Sequence, residues 1–156
     1  MNHHIVYIGL GSNLGDGPKN LDAAVDLLQK EAGEVLYTSE YIQSEPWGFE
    51  SRYRFTNAVT VLCTELEPLA LLDLTQQIER RMGRTRKRRR GEGYSDRVID
   101  LDLLLYDDIH IESERLTIPH PLIAVRDFVR LPLEECQEYM RQRAQSQDNE
   151  PLISIQ

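Results

Sequence analysis

The order of hydrophobic and polar positions along the chain predicts strands and helices in the sequence β-α-β-β-α-β. Short runs rich in β-branched residues predict strands, and apolar residues spaced three or four apart predict helices. These patterns place strands at 5–8, 35–42, 55–64 and 98–106, and helices at 18–33 and 67–83. Each helix has a proline in its first turn, where the missing N–H leaves no hydrogen bond unmade. A further helical segment is predicted at 126–133.

This order of elements favours a ferredoxin-like α+β sandwich, in which the helices pack on an antiparallel sheet. A doubly wound fold would alternate strand and helix along the whole chain, and this chain does not. Segments rich in glycine and charge between the elements predict long mobile loops that serve catalysis. The length of 156 residues predicts a single domain, 1–156, whose polar tail is expected to fray from about residue 142.

The charges are distributed unevenly along the chain. Although the net charge is −8, eight of the 18 basic residues lie between residues 80 and 90. The overall acidity argues against a general nucleic-acid or membrane surface, so we expect neither partner. No apolar stretch approaches the length of a membrane span, and the N-terminus lacks the pattern of a signal peptide. Cys63 and Cys136 stand alone, which predicts reduced packing residues and a cytoplasmic location.

Asp100 and Asp102 are the strongest indication of chemistry in the chain. They lie one residue apart in the apolar run 98–106, so on a strand both side chains point to one face, about 7 Å apart. The opposite face is filled by apolar residues, namely Ile99, Leu101, Leu103 and Leu105. Like charges on a half-buried surface require a compensating cation or hydrogen-bond donors. The pair therefore predicts a magnesium site that also takes phosphate oxygens, with arginines paired across the sheet as the structural alternative.

The basic segment 80–90 allows three interpretations. It could be a solvated helix end, although so many arginines repel one another without an anionic partner. It could instead bind RNA or serve as a nuclear-localisation signal. A mobile arginine-rich lid over a triphosphate fits best, because guanidinium groups bind phosphate oxygens bidentately and glycines at 83, 91 and 93 permit movement.

Other candidate residues carry weaker signals. The glycines after the first strand miss the spacing of a dinucleotide-binding loop by one residue, so they are read first as a strand-to-helix turn. His120 stands between two prolines, and a structural role and a phosphate contact are equally open. Trp47, Phe55 and Phe128 are typical core residues that could also stack on a planar heterocycle, whose edge Asn57 could hydrogen-bond.

Seven short motifs follow one another between about residue 5 and residue 134. They read Gly11-Ser12-Asn13-Leu14-Gly15-Asp16, Glu45-Pro46-Trp47-Gly48, Phe55-x-Asn57-Ala58, Gln76-x-x-Glu79, Gly83-Arg84-x-Arg86, Arg97-Val98-Ile99-Asp100-Leu101-Asp102-Leu103 and Arg115-Leu116-Thr117-Ile118-Pro119-His120-Pro121. The segment 97–103, followed at its spacing by Pro119 and His120, is the most specific. Together the motifs strongly resemble 6-hydroxymethyl-7,8-dihydropterin pyrophosphokinase, an enzyme family of folate biosynthesis.

The resemblance implies an enzyme that transfers the β,γ-pyrophosphate of ATP to the hydroxymethyl oxygen of the pterin and releases AMP. It implies two Mg²⁺ ions held by Asp100 and Asp102, with ATP as co-substrate. It also implies catalytic roles for these two aspartates and for Arg84 and Arg97. We expect a monomer without nucleic-acid or membrane partners.

Two substrate sites follow from the same resemblance. The pterin site corresponds to Ser44, Trp47, Phe55, Asn57 and Phe128, with the ring between the two phenylalanines. The ATP site corresponds to eight residues, which are Gln76, Glu79, Arg86, Arg90, Arg115, Thr117, His120 and Arg126.

The chain departs from the family pattern at two places. Many members carry a tryptophan after a loop arginine, whereas Arg90 is followed by Gly91, and Tyr94 is a candidate replacement. Pro121 stands where some members have an aromatic residue. Two other functions stay open on the sequence. A nucleic-acid-binding module would use the arginines but leave the paired aspartates unexplained, and a catalytically weakened relative would act as a partner protein.

Overall fold

The computed structural model describes residues 2–45, 54–83 and 97–149. The strands are β1 (His4–Ser12), β2 (Glu34–Thr38), β3 (Ile42–Ser44), β4 (Phe55–Thr64), β5 (Asp100–Tyr106), β6 (Ile111–Glu112) and β7 (Thr117–Ile118). The helices are α1 (Gly17–Glu31), α2 (Pro68–Arg81) and α3 (Asp127–Asn149). No helix within these ranges combines the length and apolar character needed to cross a membrane.

One antiparallel sheet forms the centre of the fold. Its strand order is β2-β4-β1-β5, and the short β3 pairs with β4 beyond the end of β2. A separate small hairpin joins β6 to β7. The α+β class with an antiparallel sheet is therefore confirmed.

Helices cover both faces of the sheet. One core lies under α1 and α2, where Leu21, Leu28 and Ile78 pack on Ile8 and Leu103. The other core lies under α3, where Leu133 and Cys136 contact the sheet beside Val59, Val61 and Leu104. The helix predicted at 126–133 is thus the first part of a 23-residue helix. The polar segment from residue 142, expected to fray, is helical as far as Asn149.

Two strand predictions need correction. The single strand predicted at 35–42 is divided into β2 and β3, because Ser39 lies at a break in the ladder. The Ser39 hydroxyl accepts the N–H of Val59 at 2.9 Å, in place of a backbone carbonyl. In β5 the alternation is broken by a bulge opposite Tyr7 and Ile8. Leu105 therefore packs in the α3 core, on the face predicted for the aspartates, and not opposite them.

The pairing of β1 with β5 brings glycines opposite the aspartates. Gly11 is the partner of Asp100, and Gly9 is the partner of Asp102. The loop that follows β1 is tied to α1, because the Asp16 side chain caps this helix by accepting the N–H of Lys19 at 3.1 Å. The end of the sheet that carries the glycines and aspartates is therefore a fixed frame for a site.

Candidate active site

Asp100 is paired with a buried arginine at the start of β5. The Arg97 Nη1 atom lies 3.0 Å from Asp100 Oδ1, and the Arg97 side chain is only 5% exposed. A charge-assisted hydrogen bond of this length holds a guanidinium firmly when water is excluded. Arg97 was predicted to be a catalytic residue, and the structure places its side chain against Asp100.

The Asp102 carboxyl lies among other acidic groups. Its pKa is raised well above the usual 3.8, chiefly because burial disfavours the charged form and then because Asp100 and Glu79 repel the charge. The Arg97 cation opposes this effect but does not cancel it. The end of β5 therefore carries excess negative charge, which a bound cation would stabilise.

Glu79 contributes a third carboxylate from α2. It is buried, and its Oε2 accepts the backbone N–H of Leu101 at 2.7 Å. This hydrogen bond ties α2 to the residue between the two aspartates. Glu79 was predicted to contact ATP. It lies beside the aspartates, and its Oε2 atom is already hydrogen-bonded to β5.

A narrow cavity of about 50 Å³, the aromatic cavity, opens on one side of the aspartates. Its walls include Gly9, Gly11, Phe55, Asn57, Leu104, Arg126, Phe128 and Val129 together with Asp100 and Asp102. The Asn57 Nδ2 donates to the Ser44 hydroxyl at 2.7 Å, so β3 orients the amide. The aromatic walls and the oriented amide match the chemistry of a flat heterocycle with polar edges.

A larger cavity of about 470 Å³, the polar cavity, opens on the other side of the same aspartates. Its walls include Gln76, Glu79, Arg97, Arg115, Thr117, His120 and Pro121 together with Asp100 and Asp102. The Arg115 Nη2 lies 2.5 Å from Asp73 Oδ1 and 3.3 Å from Gln76 Oε1, which fixes this arginine at the rim. The cavity suits a larger, polar and anionic ligand.

His120 is held in a defined orientation on the wall of the polar cavity. Its backbone N–H donates to the Leu104 carbonyl at 2.9 Å, and its Nδ1 accepts the N–H of Leu122 at 3.2 Å. Burial and the Arg126 cation lower the pKa of the imidazole below the usual 6.5, against an opposing effect of Asp100. The neutral ring therefore carries its proton at Nε2, as a hydrogen-bond donor.

The structure brings most of the predicted site residues together but divides them between the two cavities. Ser44 lies behind Asn57 as its hydrogen-bond partner. Arg126, predicted for ATP, lines the aromatic cavity instead, with its guanidinium carbon 5.4 Å from the Phe128 ring centroid. Trp47, Arg84, Arg86 and Arg90 lie outside the described residues.

Sequence reasoning missed the role of the glycines. Gly9 and Gly11 line the aromatic cavity. A Cβ at Gly11 would lie 3.4 Å from Asn57 Oδ1 and 3.6 Å from Phe55 Cδ1, so it would narrow the cavity. The signal was present as the glycine-rich end of β1, but only the pairing with β4 and β5 shows which side chains surround it.

Few metal ligands are available from the described part of the chain. Among those residues, no group of three or more His, Cys, Asp and Glu side chains is arranged to hold a metal ion. Two carboxylates nevertheless suffice for Mg²⁺ when substrate phosphates and waters complete the coordination. Burial and the repulsion from Asp100 and Glu79, which together raise the pKa of Asp102, fit such an arrangement.

The chain is similar to known pyrophosphokinases over most of its length. It is 46% identical over 141 residues to 2-amino-4-hydroxy-6-hydroxymethyldihydropteridine pyrophosphokinase of Porphyromonas gingivalis, covering 90% of this chain and 95% of the relative. The enzyme of the same name from Bacillus subtilis is 40% identical over 155 residues, covering 98% of this chain and 90% of the relative.

A solved structure shares the fold. Wild-type HPPK-DHPS of Plasmodium falciparum with pteroate has a TM-score of 0.65 and 16% identity, and the match covers 85% of this chain and 38% of that one. At such low identity the likeness shows the fold alone. Residues 7–138 match the family described as 7,8-dihydro-6-hydroxymethylpterin-pyrophosphokinase (HPPK), and the chain belongs to this family.

Proposed function

We propose that the protein is an ATP-dependent pyrophosphokinase that converts 6-hydroxymethyl-7,8-dihydropterin to its diphosphate and releases AMP, a step of folate biosynthesis. Membership of the HPPK family and the names of the P. gingivalis and B. subtilis relatives support this reaction. The observation that carries it is the meeting of two chemically different cavities at Asp100 and Asp102. A transfer between two substrates needs such a shared boundary.

The aromatic cavity takes the pterin in this proposal. Phe55 and Phe128 would hold the ring between them, and Asn57 would bind its polar edge while Ser44 orients the amide. Trp47 is assigned to the same site by the resemblance alone. The hydroxymethyl group would then point towards the aspartates, because these residues form the end of the cavity shared with the polar side.

The polar cavity takes ATP in this proposal. Its wall residues Gln76, Arg115, Thr117 and His120 offer donors and acceptors for the nucleotide and its phosphates, and Arg97 offers a cation beside Asp100. Arg126 would contact phosphate from the aromatic side. Arg84, Arg86 and Arg90 are assigned to a mobile catalytic loop by the resemblance alone.

Asp100 and Asp102 would hold two Mg²⁺ ions in this proposal. When bound, the ions would neutralise charge on the triphosphate during transfer. The pterin oxygen forms a bond to the β-phosphorus, and the bond from that phosphorus to the oxygen of the departing AMP breaks. Asp100, which lines both cavities as Asp102 does, is assigned the further task of accepting the alcohol proton. Near-normal turnover of Asp100→Asn would exclude that task.

We also infer that the chain acts as one ferredoxin-like domain and as a monomer. The interleaved strand order and the packing of α1, α2 and α3 on the same sheet support the single domain. The cytoplasmic location and the absence of a nucleic-acid partner stay predictions.

The decisive experiment is a coupled assay for AMP. Purified protein with Mg²⁺, ATP and 6-hydroxymethyl-7,8-dihydropterin is expected to form AMP, and omission of the pterin or addition of a chelator is expected to abolish the product. Folded protein that forms no AMP with all components present contradicts the proposal. Salt-sensitive RNA binding without AMP formation would favour the nucleic-acid-binding alternative.

A further inference from the structure

Asn13, the residue that follows β1, forms hydrogen bonds with both polar groups of the Arg97 backbone. The Asn13 N–H donates to the Arg97 carbonyl at 3.0 Å, and the Asn13 Oδ1 accepts the Arg97 N–H at 2.8 Å. Asn13 is 5% exposed, so these hydrogen bonds are shielded from water. One asparagine therefore satisfies both backbone groups of an arginine that is 84 residues away in sequence.

The fixed backbone determines where the Arg97 side chain lies. Its guanidinium is buried and meets Asp100 Oδ1 at 3.0 Å, three residues further along the chain. Arg97 precedes β5, so the sheet does not hold its backbone. The hydrogen bonds with Asn13 hold the Arg97 backbone instead.

The loop that carries Asn13 is itself braced against α1. The Asn20 Nδ2 donates to the Ser12 hydroxyl at 3.0 Å and to the Leu14 carbonyl at 2.8 Å, on either side of Asn13. A side chain that spans both neighbours of a residue limits the movement of that residue. The braced Asn13 is therefore a rigid support for Arg97.

We propose that Asn13 is a positioning residue of the pyrophosphoryl-transfer reaction. It holds the Arg97 backbone so that the guanidinium stays beside Asp100, at the boundary of the two cavities. The inference rests on the proposed function for its kinetic consequence, whereas the coupling between Asn13 and Arg97 is a property of the folded protein alone.

The kinetic test compares Asn13→Ala with Asn13→Asp. Loss of the Oδ1 acceptor is expected to lower kcat by about 10- to 100-fold, the range for misplacement of a catalytic group by about 1 Å. The KM for the pterin is expected to change less than about twofold, since no wall of the aromatic cavity is altered. Asp keeps an acceptor at the same position, so Asn13→Asp is expected to regain most of the rate. An equal loss in both variants, or a rise in KM with kcat unchanged, overturns the proposal.

Thr64→Val is the matched control for a lost buried hydrogen bond. The Thr64 hydroxyl donates to the Ala32 carbonyl at 2.5 Å and accepts the N–H of Leu66 at 3.1 Å, near the end of β4 that pairs with His4, away from the site. This variant is expected to lower the midpoint of urea unfolding while kcat stays unchanged. A kcat loss in Thr64→Val equal to that in Asn13→Ala would show that general destabilisation causes the effect, which contradicts the proposal.

A double-mutant cycle with Arg97→Ala separates the coupling from the reaction. If Asn13 acts through the Arg97 side chain, kcat of the double variant is expected to be less than about twofold below that of Arg97→Ala alone. Arg97→Ala keeps the backbone groups that Asn13 binds, so the unfolding free energies of the two changes are expected to be non-additive by the contribution of the Arg97–Asp100 contact. Additive effects on both quantities overturn the inference. The unfolding cycle needs no substrate, so it stays informative even if the AMP assay contradicts the proposed function.

Discussion

At Asp102, burial and two neighbouring carboxylates act on one carboxyl group and raise its pKa above the usual 3.8. The sign of the effect on stability follows from this direction. At about pH 3 and below, under the usual pKa of 3.8, the group is protonated in both folded and unfolded states and has no effect on stability. As the pH rises further, the unfolded chain ionises first, so the metal-free folded state loses stability. At neutral pH the environment of Asp102 therefore lowers the stability of the metal-free fold, and a bound cation would compensate this loss.

Asp102→Asn is expected to stabilise the metal-free protein while it abolishes turnover. The midpoint of thermal unfolding in the presence of a chelator should rise at pH 7 by about 2–4 °C, which corresponds to roughly 1 kcal/mol in a chain of this length. The difference should vanish at about pH 3, below the pKa of the unfolded group. Addition of Mg²⁺ with ATP should stabilise the wild type more than the variant.

Asp26→Asn provides the control for loss of one negative charge. Asp26 forms an exposed ion pair with Lys30 at 2.8 Å on α1, away from the site. Such pairs contribute little, so this variant should leave the midpoint unchanged or slightly lower. A lower midpoint for Asp102→Asn at pH 7 would contradict a raised pKa of Asp102 in the folded state.

The effect of His120 on stability has the opposite pH dependence to that of Asp102. Its pKa is lowered in the folded state, so the unfolded chain takes up a proton first as the pH falls below 6.5. The stability of the wild type relative to His120→Gln should therefore be constant above about pH 7 and decrease between about pH 6.5 and 5. Urea unfolding across this range measures the difference, with the exposed His110→Gln as control. A difference that grows on acidification would contradict the lowered pKa.

At the scale of elements, local patterns predicted more than pairing-dependent features. The helices α1 and α2 were predicted within about two residues at each end, a common uncertainty for helix boundaries, because their prolines and apolar spacing are local signals. The break at Ser39 and the bulge in β5 depend on contacts with β4 and β1. No local sequence pattern indicates either contact.

The connection between α1 and β2 shows how closely the elements pack. A Cβ added at Gly33 would overlap the backbone carbonyl of Cys63 in β4, which is not free to move. Gly33→Ala should therefore lower the free energy of unfolding by about 1–3 kcal/mol, the usual cost of overpacking. Urea unfolding measures this change.

Gly9→Ala is the matched control on a strand of the same sheet. Its Cβ would lie 3.5 Å from the Leu104 side chain, an ordinary contact distance. The expected change in the free energy of unfolding is below about 1 kcal/mol. Equal losses for both alanine variants would mean that loss of glycine itself, and not the overlap with Cys63, sets the stability.

At the scale of the whole molecule, the site is assembled from distant parts of the chain. The aspartate pair could be found from the sequence, because two carboxylates in one apolar run are a local anomaly. The division into two cavities could not be found in this way. The aromatic cavity is bounded by α3 and β4 on one side of β5. The polar cavity is bounded by α2 and the segment 114–121 on the other side. The sequence likewise could not show that Arg126 lines the aromatic cavity, because this placement also depends on how the elements pack.

Two cavities that share only a boundary should allow the two substrates to be weakened separately. Arg115 stands at the rim of the polar cavity and its ion pair with Asp73 is exposed, so its loss should affect binding more than stability. Arg115→Ala should raise the KM for ATP by about 10- to 100-fold, as expected for a hydrogen bond to a charged group worth about 1.5–3 kcal/mol. The KM for the pterin should stay within about twofold.

Ser44→Ala should have the reciprocal effect. Without its hydroxyl, Asn57 loses the acceptor that orients its amide in the aromatic cavity, so the KM for the pterin should rise by about 2- to 10-fold at constant KM for ATP. Gln43→Ala, an exposed neighbour on β3, is the control and should change neither constant. Steady-state kinetics with each substrate varied at saturating levels of the other measures both values. If Ser44→Ala and Arg115→Ala each raised both constants equally, the two cavities would not be separate substrate sites, and the aspartates could not be the boundary across which pyrophosphate is transferred.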